Sequence, residues 1–350
     1  MRRNTHFRFV IFLVLISVFL QACAEDVRPT ATDVQPAYTA EQLAVGEQLA
    51  RTHCGSCHRY PEPSLLDTRR WKQVLPHMRH RLGIYRDEDR DSLVLKTDLR
   101  GVDTTRVFPA QPLISSSEWD HIKAFYLSAA PDAMAPVRRS QAMQPGLAHF
   151  EARVPKRRFE MPLTLLTKIQ PENQLFFLGN YGYRNPSTLS MIDAAGQVLS
   201  EWSLMDAPIR VKWEAGRLYV LLVGPGPEPT EASAGSLLRI DGPDAAPRTL
   251  LVGLKRPVDM EIADLNGDGI NDFVICEYGH EAGFLSVYAS DAHGNHRRQV
   301  LSAEAGAVQA MIHDFDQNGT PDIGVLMAQG DERFDIYANN GEGDFTRHRA

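Results

Sequence analysis

Three short triplets recur at a nearly constant spacing in the second half of the chain. Ile209-Arg210-Val211, Val258-Asp259-Met260 and Val308-Gln309-Ala310 begin 49 and then 50 residues apart. Between them, apolar or alternating runs of strand length, such as Leu175-Phe176-Phe177-Leu178, Phe273-Val274-Ile275 and Phe284-Leu285-Ser286-Val287-Tyr288, are separated by Gly, Pro, Asn and Asp. One more unit fits before the first triplet, beginning near Met161. That period suits four-stranded propeller blades, so residues 161–350 are expected to form an all-β domain of about four blades.

Two of the units carry a sharper motif at corresponding places. Asp264-Leu265-Asn266-Gly267-Asp268-Gly269-Ile270-Asn271-Asp272 and Asp314-Phe315-Asp316-Gln317-Asn318-Gly319-Thr320-Pro321-Asp322 share the pattern D-x-[DN]-x-[DN]-G-x-x-D. Alternate oxygen side chains can converge on a hard cation, glycine permits the sharp turn, and the residue after it can offer a carbonyl. The glutamate that closes an EF-hand loop is absent and strand-like sequence follows, which predicts a β-hairpin calcium loop. An Asp/Asn-rich turn without metal is the plainer alternative.

These loops resemble those of the VCBS or FG-GAP repeat proteins, whose Asp-rich loops bind calcium between propeller strands. The resemblance covers roughly 161–350 and is strongest over 257–350. It implies two calcium ions, held at Asp264, Asn266, Asp268, Ile270 and Asp272, and at Asp314, Asp316, Asn318, Thr320 and Asp322. The literal Phe-Gly/Gly-Ala-Pro signature is missing, and units 161–208 and 209–256 lack the Asp loop. A four-bladed propeller, an incomplete propeller and a truncated reading frame all remain open.

The first half contains Cys54-Gly55-Ser56-Cys57-His58. Two thiols at this spacing can form thioethers to the two vinyl groups of one porphyrin, while the adjacent imidazole reaches the iron, which predicts one covalent c-type haem. A zinc site would need two more ligands, and the remaining cysteines are the distant Cys23 and Cys276. A thioredoxin-like dithiol would sit in a βαβ pattern that is missing around it. Cys276 lies in an apolar strand-like run and reads as a buried small hydrophobe.

Residues 41–131 resemble a small all-α cytochrome c module of class I type. A first helix over Glu41–Arg51 leads into the attachment motif. A second runs from near Asp67 to Leu82 with Trp71, Val74, Leu75, Met78 and Leu82 on one face, stopped at Gly83 and bent at Pro76. The last helix opens on a capping box, Ser115 to Glu118, with Ile114 and Trp119 as a hydrophobic staple. The resemblance implies that the first and last helices cross beside the haem. Met78 is the only methionine between residues 41 and 130, which makes it the first candidate for the sixth iron ligand; His77, His80 and an open position are the alternatives.

Arg2, Arg3 and Arg8 precede an apolar run from Phe9 to Leu20, which fits a secretory signal better than a membrane span. The segment ends Leu20-Gln21-Ala22-Cys23, resembling a bacterial lipobox, and this implies a chain lipidated at Cys23. An uncleaved anchor helix is the alternative. Alanine at position 24 favours the outer membrane, facing the periplasm. Residues 24–40 read as a tether able to reach roughly 55 Å when extended. Residues 132–160 form a linker ending in the basic group Arg153, Lys156, Arg157 and Arg158, either a solvated face or a contact for acidic surfaces.

Removing residues 1–22 takes the formal charge from −7 to −10, which argues against nucleic-acid binding. The charge is uneven. Residues 41–130 carry 13 Lys and Arg against 12 Asp and Glu, whereas residues 161–350 carry 14 against 26, as expected of two domains with different surfaces. The chain as a whole resembles exported bacterial proteins in which a cytochrome c module precedes such repeats. Its leading functional expectation is single-electron transfer with periplasmic redox proteins, the propeller docking a protein or polysaccharide. The alternatives are a propeller dehydrogenase passing electrons to its own haem, for which His280 and His313 are only lone candidates, and an adhesion or assembly module with accessory haem.

Overall fold

The computed structural model describes residues 38–56, 59–84, 109, 111–136, 163–183, 186–228, 230, 232–280, 282–329 and 332–349. The expected signal and lipidation segment with Cys23, most of the expected tether, Cys57, His58, and residues 137–162 with the basic group lie outside these residues. The described chain is mostly β: three α-helices are followed by sixteen strands.

Helix α1, Ala40–Cys54, begins at a capping box in which the Thr39 side chain accepts from the Gln42 amide and Gln42 accepts from the Thr39 amide. It runs three residues beyond Arg51, so Cys54 is its last residue. Helix α2, Thr68–Arg81, starts at Asp67, continues through Pro76, and closes with the Gly83 amide donating to the His80 carbonyl and the Ile84 amide to that of Arg79. This closure uses Gly83 at φ +72, a conformation that glycine adopts without strain. Helix α3, Ser116–Ala129, carries the expected capping box: Ser115 accepts from the Glu118 amide at 3.2 Å, and Glu118 accepts from the Ser115 amide at 2.7 Å. Ile114 and Trp119, the expected staple, are both buried in the core that these helices share.

Helices α1 and α3 pack closely because residue 46 is glycine. A Cβ built there would collide with the His121 carbonyl oxygen and lie 3.0 Å from the Phe125 Cβ, so the backbones must part to admit any side chain. Helix α2 joins them through Trp71, whose ring centre is 4.4 Å from that of Tyr126. Gly46→Val is therefore expected to destabilise the helical region by about 3 kcal/mol, the upper end of overpacking costs. Thermal unfolding followed by the helical circular dichroism signal tests it; an unchanged melting curve would mean that the crossing is not tight.

The strands form four antiparallel sheets, each a simple meander. Sheet 1 comprises β1 Thr164–Gln170, β2 Leu175–Asn180, β3 Ser187–Asp193 and β4 Val198–Leu204. Sheet 2 comprises β5 Pro208–Glu214, β6 Arg217–Leu222, β7 Gly235–Ile240 and β8 Arg248–Leu254. Sheet 3 comprises β9 Pro257–Ala263, β10 Asp272–Glu277, β11 Phe284–Ser290 and β12 His296–Ser302. Sheet 4 comprises β13 Ala307–His313, β14 Asp322–Met327, β15 Arg333–Asn339 and β16 Phe345–Arg349. The three recurring triplets lie in β5, β9 and β13, the first strands of sheets 2 to 4. Arg210 Nε in the first triplet lies 2.7 Å from Asp259 Oδ1 in the second, and Asp259 Oδ2 accepts from the Ala310 amide in the third. Burial pushes the Asp259 carboxyl up, against the pull of that amide and of Arg210.

The sheets stack face to face in chain order, each joint filled by its own apolar core. Phe177, Leu189 and Trp202 of sheet 1 meet Leu218, Val220 and Ile240 of sheet 2. Tyr219, Leu221 and Leu237 meet Met260, Phe273 and Ile275 across the second joint. Val274, Cys276 and Leu285 meet Ile323, Val325 and Tyr337 across the third. Cys276 is thus the buried small hydrophobe expected, and burial raises its thiol well above the usual range.

Register shows that the same joint is prepared at both ends of the stack. The pair Leu326–Phe334 in sheet 4 takes the place of Leu221–Leu237 in sheet 2 and Cys276–Leu285 in sheet 3. Leu221 and Cys276 are 0% exposed and Leu326 is 44% exposed. In sheet 1, Phe176 stands where sheet 2 has Leu218, with exposures of 41% and 1%. Among the described residues, no buried apolar cluster joins sheet 4 to sheet 1.

Candidate functional site

The helical site starts from Cys54. Its position at the end of α1 puts a half-buried thiol against the core formed by Trp71, Leu75, Trp119, Ile122 and Tyr126. Met78 packs against the same core from α2. His80 is also buried, whereas His77 is exposed. Burial lowers the His80 imidazole, and the charges of Arg79, His77 and Arg81 push the same way. Tyr126 donates from its hydroxyl to the Pro61 carbonyl at 2.8 Å, and burial, with Cys54 and Tyr60 beside it, raises its pKa. Cys54 and Met78 thus pack against one apolar core, as a haem-attaching thiol and an iron-ligating thioether would have to. His80 is buried as well, and its burial was unreadable from a stripe in which it is flanked by two arginines.

Both Asp loops join the first and second strands of their sheets, Asp264–Asn271 between β9 and β10 and Asp314–Pro321 between β13 and β14. In the first, Asp264 accepts from the Gly267 and Gly269 amides at 2.8 and 2.7 Å, Asn266 accepts from the Asp268 amide, and Asp268 accepts from the Ile270 amide. In the second, Asp314 accepts from the Asn318 and Gly319 amides, Asp316 also accepts from Asn318, and Asn318 accepts from the Thr320 amide. Gly269 at φ +82 and Gly319 at φ +88 supply the left-handed turns that the motif requires.

The last aspartate of each motif has a different environment from the others. Asp272 is buried and accepts from the Leu265 amide at 3.1 Å and the Ser290 amide at 2.8 Å. Asp322 is buried and accepts from the Phe315 amide at 2.7 Å and the Asn339 amide at 2.8 Å. Each carboxylate therefore ties its loop to the end of the third strand. Burial raises the Asp272 carboxyl; its two amide partners oppose this, while Asp268 and Asp264 add to it.

The two loops differ in how far their oxygens converge. Asp314, Asp316 and Asp322 each offer a carboxylate oxygen, and these three atoms lie within 4.8 Å of one another. This all-oxygen set fits a hard divalent cation. Among the described residues, Asp264, Asp268 and Asp272 do not form such a group.

One residue missed by the sequence reading links the loops. Asn339, buried at the end of β15, accepts at its carbonyl from Asn318 Nδ2 at 3.1 Å, with Thr320 Oγ1 2.8 Å away. Its Nδ2 donates at 2.8 Å to the Leu265 carbonyl in the other loop. The turn that follows lies over the first loop, since a Cβ on Gly343 would be 3.5 Å from that of Asn266. The dipeptide Asn339-Asn340 before Gly341 signals a turn in the sequence but not its partner across the joint.

No family model matches this chain, and no curated protein matches it. Solved structures to which it is similar include one described as the Dos1 propeller, at 12% identity and a TM-score of 0.39 over 53% of this chain and 47% of that one. Another is the Bacteroides ovatus xyloglucan PUL protein GH43B, at 12% identity and a TM-score of 0.32 over 53% of this chain and 40% of that one. The chain thus spans less than half the length of either, and at these scores the likeness carries no argument about function.

Proposed function

We propose that this chain is an exported, lipid-anchored c-type cytochrome that transfers single electrons through one covalent haem and carries a calcium-binding stack of β-sheets that docks a protein or polysaccharide partner. The reading is supported above all by Cys54, which α1 delivers at its last turn to the same apolar core that Met78 enters from α2. A haem held by Cys54, Cys57 and His58 would supply reversible one-electron chemistry. The chain's own part would be to exclude water with Trp71, Leu75, Ile122 and Tyr126, and to set the potential by the residue that would hold the iron together with His58. Met78 is the residue we assign there, and the buried His80 is its competitor. The anchor is a lipid on Cys23. The Asp314, Asp316 and Asp322 oxygens, with Asn318 and the Thr320 carbonyl, would hold one cation; Asp264, Asn266, Asp268, Asp272 and the Ile270 carbonyl would hold a second.

Met78→Ala is expected to abolish the sulfur-to-iron charge-transfer absorption of the oxidised protein and to lower its reduction potential. An absorption spectrum and a redox titration of the purified chain test this, with His80→Ala as the comparison. Loss of the native spectrum in His80→Ala with no change in Met78→Ala would transfer the ligand to His80. Absence of haem from the wild-type chain would refute the electron-transfer reading.

A further inference from the structure

We propose that Asn339 couples the two Asp loops, so that a cation held by the 314–322 loop raises the affinity of the 264–272 loop. The inference rests on the calcium reading above and extends it to the order in which the sites fill. The 314–322 loop has its three carboxylate oxygens within 4.8 Å of one another, and the 264–272 loop does not, so the former is the better preformed site. A cation drawing in Asp316, Asn318 and Asp322 fixes the groups that bear on Asn339. Asn318 Nδ2 and Thr320 Oγ1 lie against its carbonyl, and Asp322 accepts from its amide. With its main chain held at both ends, Asn339 directs Nδ2 to the Leu265 carbonyl, one residue after Asp264 and one before Asn266. The Gly341 amide donates to Asn339 Oδ1 at 3.0 Å, which fixes the orientation of the amide group.

Sheet 3 shows what the position does without this link. There Ser290 takes the place of Asn339: its amide donates to Asp272 as the Asn339 amide donates to Asp322, but its hydroxyl pairs with His296 Nδ1 in its own sheet. The side-chain amide of Asn339 is therefore additional to the backbone clamp both sheets share. Its effect is to spend part of the ordering cost of the first loop when the second fills, which is positive coupling.

Calorimetric titration of the full chain with calcium alone tests the coupling. The wild type is expected to bind two ions. Asp314→Ala should remove the second-loop site and weaken the remaining one about tenfold, within the usual range of coupling factors. Asn339→Ser, which installs the residue that sheet 3 uses, should leave two ions bound but weaken the first-loop site by the same factor. Adding Asp314→Ala to Asn339→Ser should then weaken that site no further. A purely structural role for Asn339 would instead make the two losses add, which overturns the coupling. Affinities unchanged by Asn339→Ser overturn it as well, while two ions still bind. Failure of the wild type to bind calcium refutes the cation reading and the coupling together. Should Asn339→Ser not fold, Asn339→Thr gives the same comparison, because a β-branched residue suits a strand end and it too removes the donor to the Leu265 and Pro321 carbonyls without adding charge beside the cations.

Discussion

Replacing Cys54 and Cys57 together with alanine is expected to leave a polypeptide with no covalently attached haem, the largest single effect that substitution can have on this chain. Covalent attachment needs both thioethers for its native geometry, and nothing else in the sequence offers thiols at that spacing. The thiol of Cys54 is carried by the last residue of a helix capped at Thr39 and locked against α3 at Gly46, so it meets the core in a fixed place. Haem staining of a denaturing gel reads the outcome, and covalent haem persisting in the double variant would sink the attachment. In the same set, Cys23→Ala should move the stained band from the membrane to the soluble fraction. Retention in the membrane would point to the uncleaved anchor helix instead.

Asp322→Ala should cost more stability than any other substitution in its own loop, about 3–5 kcal/mol even in chelator. The carboxylate is 0% exposed and accepts from the Phe315 and Asn339 amides, and hydrogen bonds to a charged acceptor are worth roughly 1.5–3 kcal/mol each. Truncation also leaves the buried Asn339 amide without its partner. Asp314→Ala removes an acceptor of exposed loop amides, Asn318 and Gly319, which water can replace. Its effect should appear mainly in calcium and vanish in chelator. Urea unfolding of both variants, each with calcium and with chelator, separates clamp from ligand. A loss below about 1 kcal/mol for chelated Asp322→Ala would refute the clamp.

The contrast between these two aspartates marks where sequence reading reached its limit. Both occupy motif positions and both read as cation ligands, because the pattern records chemical type and spacing and does not show that Asp322 is also a buried clamp. Asp272 and Asp322 sit at the first residue of a strand, where entering the sheet buries the carboxylate beside amides of the loop and of the third strand. Those amides come from Ser290 and Asn339, 18 and 17 residues downstream, and no local rule connects them.

What the sequence determined by itself is whatever depends on neighbours along the chain. The Ser115 capping box, the stop at Gly83, the Asp-rich turns and the strand character of the recurring triplets are all local, since caps and turns are satisfied within a few residues and strand alternation repeats every two. Tertiary structure decided the rest. It brought Gly46 against the His121 carbonyl, buried His80 while leaving His77 exposed, and carried Asn339 across a joint to Leu265. It also divided equivalent positions by their place in the stack: Leu221 and Leu326 have the same register and chemistry, but among the described residues only Leu221 has a further sheet packed over it. A side chain's residue type is written in the sequence, whereas the surface that covers it belongs to another part of the chain and exists only after the sheets have packed.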